Sequence, residues 1–131
     1  MRVIDIDTGF LLFFMEYTLY VFAITLPFDI RDKNLDAFVG VKTLVRSFGA
    51  NGSKRISQLL LVIAIVLAMV LDSFYIDIAY YSFSRVLMYV ILIIYINYLR
   101  DDMDDYYFSG VLDGSLILGP ISLFLLNNLF N

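Results

Sequence analysis

Residues 27–49 read Pro27-Phe-Asp29-Ile-Arg31-Asp32-Lys33-Asn-Leu-Asp36-Ala-Phe-Val39-Gly40-Val-Lys42-Thr43-Leu-Val-Arg46-Ser-Phe-Gly49. This is a polar island in a chain of 131 residues that is otherwise close to continuous hydrocarbon, 61% hydrophobic and only 17% charged. It gathers three aspartates, Asp29, Asp32 and Asp36, beside four cations, Arg31, Lys33, Lys42 and Arg46.

The spacing of the acids suggests a use. On a helix, residues three and four apart share a face with Cβ atoms roughly 6 Å apart. Three carboxylates so close repel one another unless a cation sits between them. Mg²⁺ suits such a place, since it takes hard oxygen ligands and is commonly held by one or two carboxylates plus substrate phosphates. The flanking cations would then face the phosphate charge. A second reading stays open on spacing alone, a solvated helix start carrying acids near its positive end and alternating charges along its length.

The run Asp29-Ile-Arg-Asp32-Lys-Asn-Leu-Asp36, followed by Val39-Gly40-Val41-Lys42-Thr43-Leu44 and Gly49, resembles the second aspartate-rich motif of the UbiA family of intramembrane prenyltransferases. That motif joins a DxxxD to a downstream Gly-hydrophobic-Lys-Ser/Thr turn. Residues 106–114, ending Asp113-Gly114, also resemble the start of that family's last helix, so the likeness covers nearly the whole chain but only the second half of a family member. The resemblance implies an all-α helical membrane bundle and Mg²⁺-dependent transfer of a prenyl group from a prenyl diphosphate to an aromatic or lipid acceptor. By residue it implies Asp32 and Asp36 as the metal pair, Asp29 as a further oxygen ligand, Lys42 as a diphosphate contact, and Arg31, Lys33 and Arg46 as secondary diphosphate contacts. Family members hold the diphosphate between two aspartate-rich motifs, one in each half, and only one stands here. The expectation is therefore little or no transferase activity from this chain alone, as a truncated reading frame, a split half that meets a missing N-terminal half, or a protomer that pairs with a second copy.

Composition points to lipid independently of any likeness. So apolar a chain of this length, folded as a soluble domain, would have more hydrocarbon than it can bury. The small net charge of −4 gives no case for nucleic-acid binding, which calls for a basic face. With no cysteine and no histidine, disulfides, thiol or serine-histidine catalysis and a nitrogen- or sulfur-ligated zinc are set aside.

Four membrane spans are expected, near 9–26, 56–73, 84–100 and 110–128, in a single membrane domain. The first opens without the basic start and small-residue cleavage site of a signal peptide, and it is expected to end at Pro27, because proline disfavours helical geometry in the residue before it. Residues 50–53, Ala-Asn-Gly-Ser, read as a turn and Lys54-Arg55 as an interfacial anchor. Arg85 and Arg100 are expected to snorkel from opposite ends of the third span. Gly119-Pro120 should kink the fourth. Glu16, alone in the first apolar run, either faces a cavity or partner, or lies protonated or snorkels, because a charge there costs about 3 kcal/mol.

The loop 27–55 holds six of the nine basic residues, Arg31, Lys33, Lys42, Arg46, Lys54 and Arg55. The positive-inside bias makes it cytoplasmic in a multi-pass protein of the cell inner membrane. Four spans put the acidic run 101–105 on the same side, where a hydrated loop is the simpler reading. A non-catalytic four-helix membrane protein, a remnant or a scaffold, remains the alternative to a prenyltransferase half.

Overall fold

A computed structural model describes the backbone of residues 6–40, 42–74, 79–100, 102–118 and 121, and the side chains of these except 6–7, 33–37, 79–82 and 105. The chain is all-helical, with no strand among the described residues. Helix α1 spans Ile6–Val39, α2 Leu44–Phe74 and α3 Ala79–Tyr98. A single turn, α4 (Asp105–Phe108), leads into a π-helical turn (Ser109–Asp113) and then an α-helical stretch over 114–118. Two helices are long and apolar enough to cross a membrane, Thr8–Asp32 and Leu44–Phe74, and the apolar stretch Phe83–Tyr98 is shorter.

Helices α1 and α2 form an antiparallel hairpin, and α3 runs back along α2. Their shared core joins Tyr20, Ala23 and Ile24 of α1 to Leu61 and Ala64 of α2 and Tyr89, Leu92 and Ile96 of α3. Phe108 and Leu112 close it from the C-terminal segment. Beyond the break at Gly49, the buried positions of α2, Ser53, Ser57, Leu61, Ala64, Ala68 and Leu71, recur every three or four residues, and most are small enough for close helix approach.

The expected stop at Pro27 is not there, since α1 continues through it for twelve more residues to Val39. Proline has no N–H to offer the carbonyl four residues back, which here belongs to Ala23. The hydroxyl of Ser57 on α2 donates to that same carbonyl oxygen at 2.5 Å, with Ala23 and Ser57 both buried. The lost backbone bond is thus replaced from a neighbouring helix, which is how such prolines are accommodated.

The expected loop 27–55 accordingly contracts to the residues around 40–43. Gly40 has φ +82°, the left-handed conformation that ends helices. Thr43 then caps α2, its Oγ1 accepting from the Arg46 N–H at 3.4 Å. The turn expected over 50–53 is instead a single-residue break at Gly49 (φ 72°, ψ 170°) inside α2, and residues 50–53 are helical. Lys54, read as an interfacial anchor, is half-buried and donates to the Leu99 carbonyl just beyond α3, a cation on a helix C-terminus. The kink at Gly119-Pro120, the acid Asp101, the side chain of Asp105 and residues 122–128 of the fourth expected span lie outside what the structure describes.

Gly49 occupies a backbone region that is nearly exclusive to glycine, and no atom crowds the place of a Cβ there. Gly49→Ala should therefore destabilise the purified chain through the backbone alone, by about 1–3 kcal/mol in unfolding followed by circular dichroism. Gly110→Ala, with ordinary φ and open space, should shift stability by no more than about 0.5 kcal/mol.

Candidate functional site

The spacing argument requires a helical backbone from 29 to 36, and α1 is helical over that whole range. At about 100° per residue, positions 29, 32 and 36 fall within roughly 60° of one another on one face of the helix. Asp29 and Asp32 are half-buried. The side chains of Asp36 and Lys33 lie outside the described ones.

Arg31 grips its neighbour Asp32 with a two-pronged fork, Nε to Oδ1 at 2.7 Å and Nη2 to Oδ2 at 2.9 Å, while its guanidinium lies 5.1 Å from the Phe28 ring centroid. Both side chains are partly solvated, at 27% and 39% exposure. A solvated pair of this kind is worth about 0–1 kcal/mol, so the fork orients Asp32 without committing it. Beyond the Gly40 turn, Lys42 and Arg46 are exposed, Arg46 in the first turn of α2. Four residues, 40–43, thus separate the acidic end of α1 from the basic start of α2. Among the described residues, which do not include the Asp36 side chain, no group of three or more acidic, histidine or cysteine side chains is placed to hold a metal. Asp29 and Asp32 fit a hard cation by chemistry, being carboxylates at the partly exposed end of a helix.

A second polar centre lies deeper, about 20 Å back along α1 from Asp29 at 1.5 Å per residue. Glu16 is 1% exposed, and its Oε1 accepts from the Tyr89 hydroxyl at 2.9 Å and faces Arg85 Nε at 3.3 Å. Of the two readings left open for Glu16, the one with a partner describes it. Arg85 does not snorkel outward as expected. It turns in, its side chain 11% exposed, with the guanidinium 5.4 Å from the Phe13 ring centroid. The other glutamate oxygen, Oε2, has no hydrogen-bond partner among the described residues. Beside this centre the Tyr20 ring packs against Tyr89 in a tilted arrangement, centroids 5.3 Å apart, and Tyr20 shares a 2.8 Å hydrogen bond with Ser115. Ser115 also lines an open apolar cavity of about 330 Å³ between α3 and the C-terminal segment, with Leu87, Met88, Ile91, Val111 and Leu118. Arg100, by contrast, is exposed and paired with Asp102 at 2.6 Å.

The Glu16–Arg85–Tyr89 cluster was only half visible in the sequence. A lone carboxylate in an apolar run demands a partner, yet nothing in the spacing of residues so far apart selects Arg85.

No protein-family model, no curated protein and no solved structure matches the chain. What the fold and the two polar centres define is a class: an all-helical chain with two helices long and apolar enough to span a membrane.

Removing one member of a buried ion pair leaves the other uncompensated, whereas replacing both with apolar groups is often neutral. Arg85→Leu should therefore destabilise the fold by about 3–5 kcal/mol in reversible unfolding, and the double variant Glu16→Leu/Arg85→Leu should recover most of that loss.

Proposed function

We propose that this chain is a membrane-embedded counterpart of the second half of a UbiA prenyltransferase, binding a prenyl diphosphate with Mg²⁺ at the acidic end of α1. The observation that carries the reading is the unbroken helix over 29–36. On a helical backbone, positions 29, 32 and 36 share one face, at the C-terminal end of the apolar segment Thr8–Asp32, which is of membrane-spanning length. The motif's second half has a matching physical logic, Gly40 for the reversal and Thr43 for the cap that starts α2.

Burial supports a lipid setting. Only 28% of the apolar window of either long helix is buried, and large side chains such as Phe10, Phe14, Val66 and Met69 are exposed. The core helix of a soluble protein is mostly buried, so these faces call for an apolar surrounding. In this reading the chain is multi-pass, the turn at 40–43 faces the cytoplasm with its basic residues, and the fourth span continues from residue 110.

Within the site, Asp32 and Asp36 hold the metal and Asp29 orients or completes its oxygen shell. Bound Mg²⁺ would offset the charge of the departing diphosphate. Lys42 contacts the diphosphate, with Arg46, Lys33 and Arg31 as further cations. Arg31 has two partners of comparable chemistry, the Asp32 carboxylate and a phosphate, and its weak fork lets it exchange one for the other. The apolar interior excludes water from the allylic cation, and the cavity beside Ser115 has room for a stretch of hydrocarbon. A complete reaction centre takes a first aspartate-rich motif from another segment or a second copy of this chain. The reading opposed to this one is a non-catalytic membrane protein, favoured by the occupation of both Asp32 oxygens by Arg31.

Titration calorimetry of the detergent-solubilised chain with farnesyl diphosphate separates them. Mg²⁺-dependent binding that Asp32→Ala or Asp36→Ala weakens at least about tenfold, a loss of about 1.4 kcal/mol, is expected. Binding that ignores Mg²⁺ and both substitutions, or no binding, supports the non-catalytic protein.

A further inference from the structure

We propose that Ser57 is the positioning residue of the acidic end: its hydroxyl supplies the hydrogen bond that Pro27 withholds from the Ala23 carbonyl, and so keeps the turns carrying Asp29, Asp32 and Asp36 in line with the helix beneath them. This inference rests on the binding role given to those acids.

The helical serines and threonines offer a contrast. Thr18 donates to Phe14, Thr25 to Phe22, Ser73 to Val70 and Ser115 to Leu112, each to a carbonyl three or four residues back on its own helix. This is the ordinary local habit of a helical hydroxyl. Ser57 instead reaches across to α1 and meets the one carbonyl that Pro27 deprives of its donor. Water is no substitute, since Ala23 and Ser57 are both 0% exposed. Without Ser57 the carbonyl stays unmet in an apolar interior unless the helix bends at Pro27 to expose it.

The consequence falls on the acids. Proline is the commonest origin of helix kinks above about 20°. Position 36 lies about 13 Å beyond Pro27 along the axis. A bend of that size carries it sideways by roughly 5 Å, an order of magnitude beyond the tolerance of about 0.5 Å that a binding constellation allows. All three acids lie beyond the pivot, so a bend moves them as one body, least at Asp29 and most at Asp36, relative to α2 and α3.

A cycle of variants in the full chain tests this. Nitroxide labels at the exposed positions Phe38 on α1 and Tyr98 on α3 report the sideways position of the acidic end by pulsed electron-electron resonance. Ser57→Ala should broaden and shift the distance distribution. Ser57→Thr, which keeps the hydroxyl, should leave it as it is. In a Pro27→Ala background the backbone N–H returns, so Ser57→Ala should then change nothing. Mg²⁺-dependent farnesyl diphosphate affinity should follow the same pattern, falling about tenfold in Ser57→Ala, the scale of one lost buried hydrogen bond, and recovering with Pro27→Ala. An unchanged distance in Ser57→Ala, or an equal effect with and without Pro27, would overturn the assignment. Absence of binding in every variant would overturn the functional reading, while the distances still decide whether Ser57 holds the acidic end.

Discussion

Several polar groups inside this bundle find their partners on neighbouring helices, and those cross-bonds organise the structure. Apolar residues cover both the inner and the outer faces of α1, α2 and α3, so hydrocarbon burial by itself does little to choose which face turns inward. The choice falls to a few cross-bonds: Ser57 to Ala23 and Tyr89 to Glu16 on α1, Gln58 to Ile93 and Lys54 to Leu99 at α3, and Tyr20 to Ser115 in the C-terminal segment. Each is directional, and each costs about 1–3 kcal/mol if one partner is left buried and unmet. A rotated or slipped helix would strand several at once.

This arrangement divides the molecule into two polar regions with different tasks. In the first third of α1, Glu16 joins Arg85 and Tyr89 to tie the first helix to the third, shut away from solvent. Toward its end, Asp29, Asp32 and Arg31 keep partial access to solvent, and their ion pair is weak enough to open. Burial thus separates a cluster suited to holding helices in register from one suited to exchanging partners with a ligand.

How much of this is legible in the sequence depends on the range of the interaction. The helical face formed by Asp29, Asp32 and Asp36 follows from spacing alone, because neighbours three and four apart need no tertiary information. Gly40 and Thr43 likewise act within a few residues, as a reversal and a cap. Pro27 is different. Its local signal says that the helix stops, and a serine thirty residues later overrides that signal. The turn expected over 50–53 was displaced to Gly49 because helix-breaking composition marks a neighbourhood and not a residue. Arg85 misled for a similar reason: at the edge of an apolar run it reads as a snorkelling anchor, and only packing reveals that Glu16 draws it inward.

The central claim is that the acidic face of α1 holds a divalent ion against a diphosphate. Replacing Mg²⁺ with Mn²⁺ and recording pulsed electron-nuclear double resonance on the chain with farnesyl diphosphate tests it directly, since phosphorus couples measurably to Mn²⁺ only within the first coordination sphere. On the chain freed of unbound ion and ligand, the account predicts retained Mn²⁺ with a ³¹P coupling, and loss of both when Asp32 is replaced by alanine. A spectrum of fully hydrated Mn²⁺ without phosphorus coupling, identical in the unaltered chain and the variant, would contradict it.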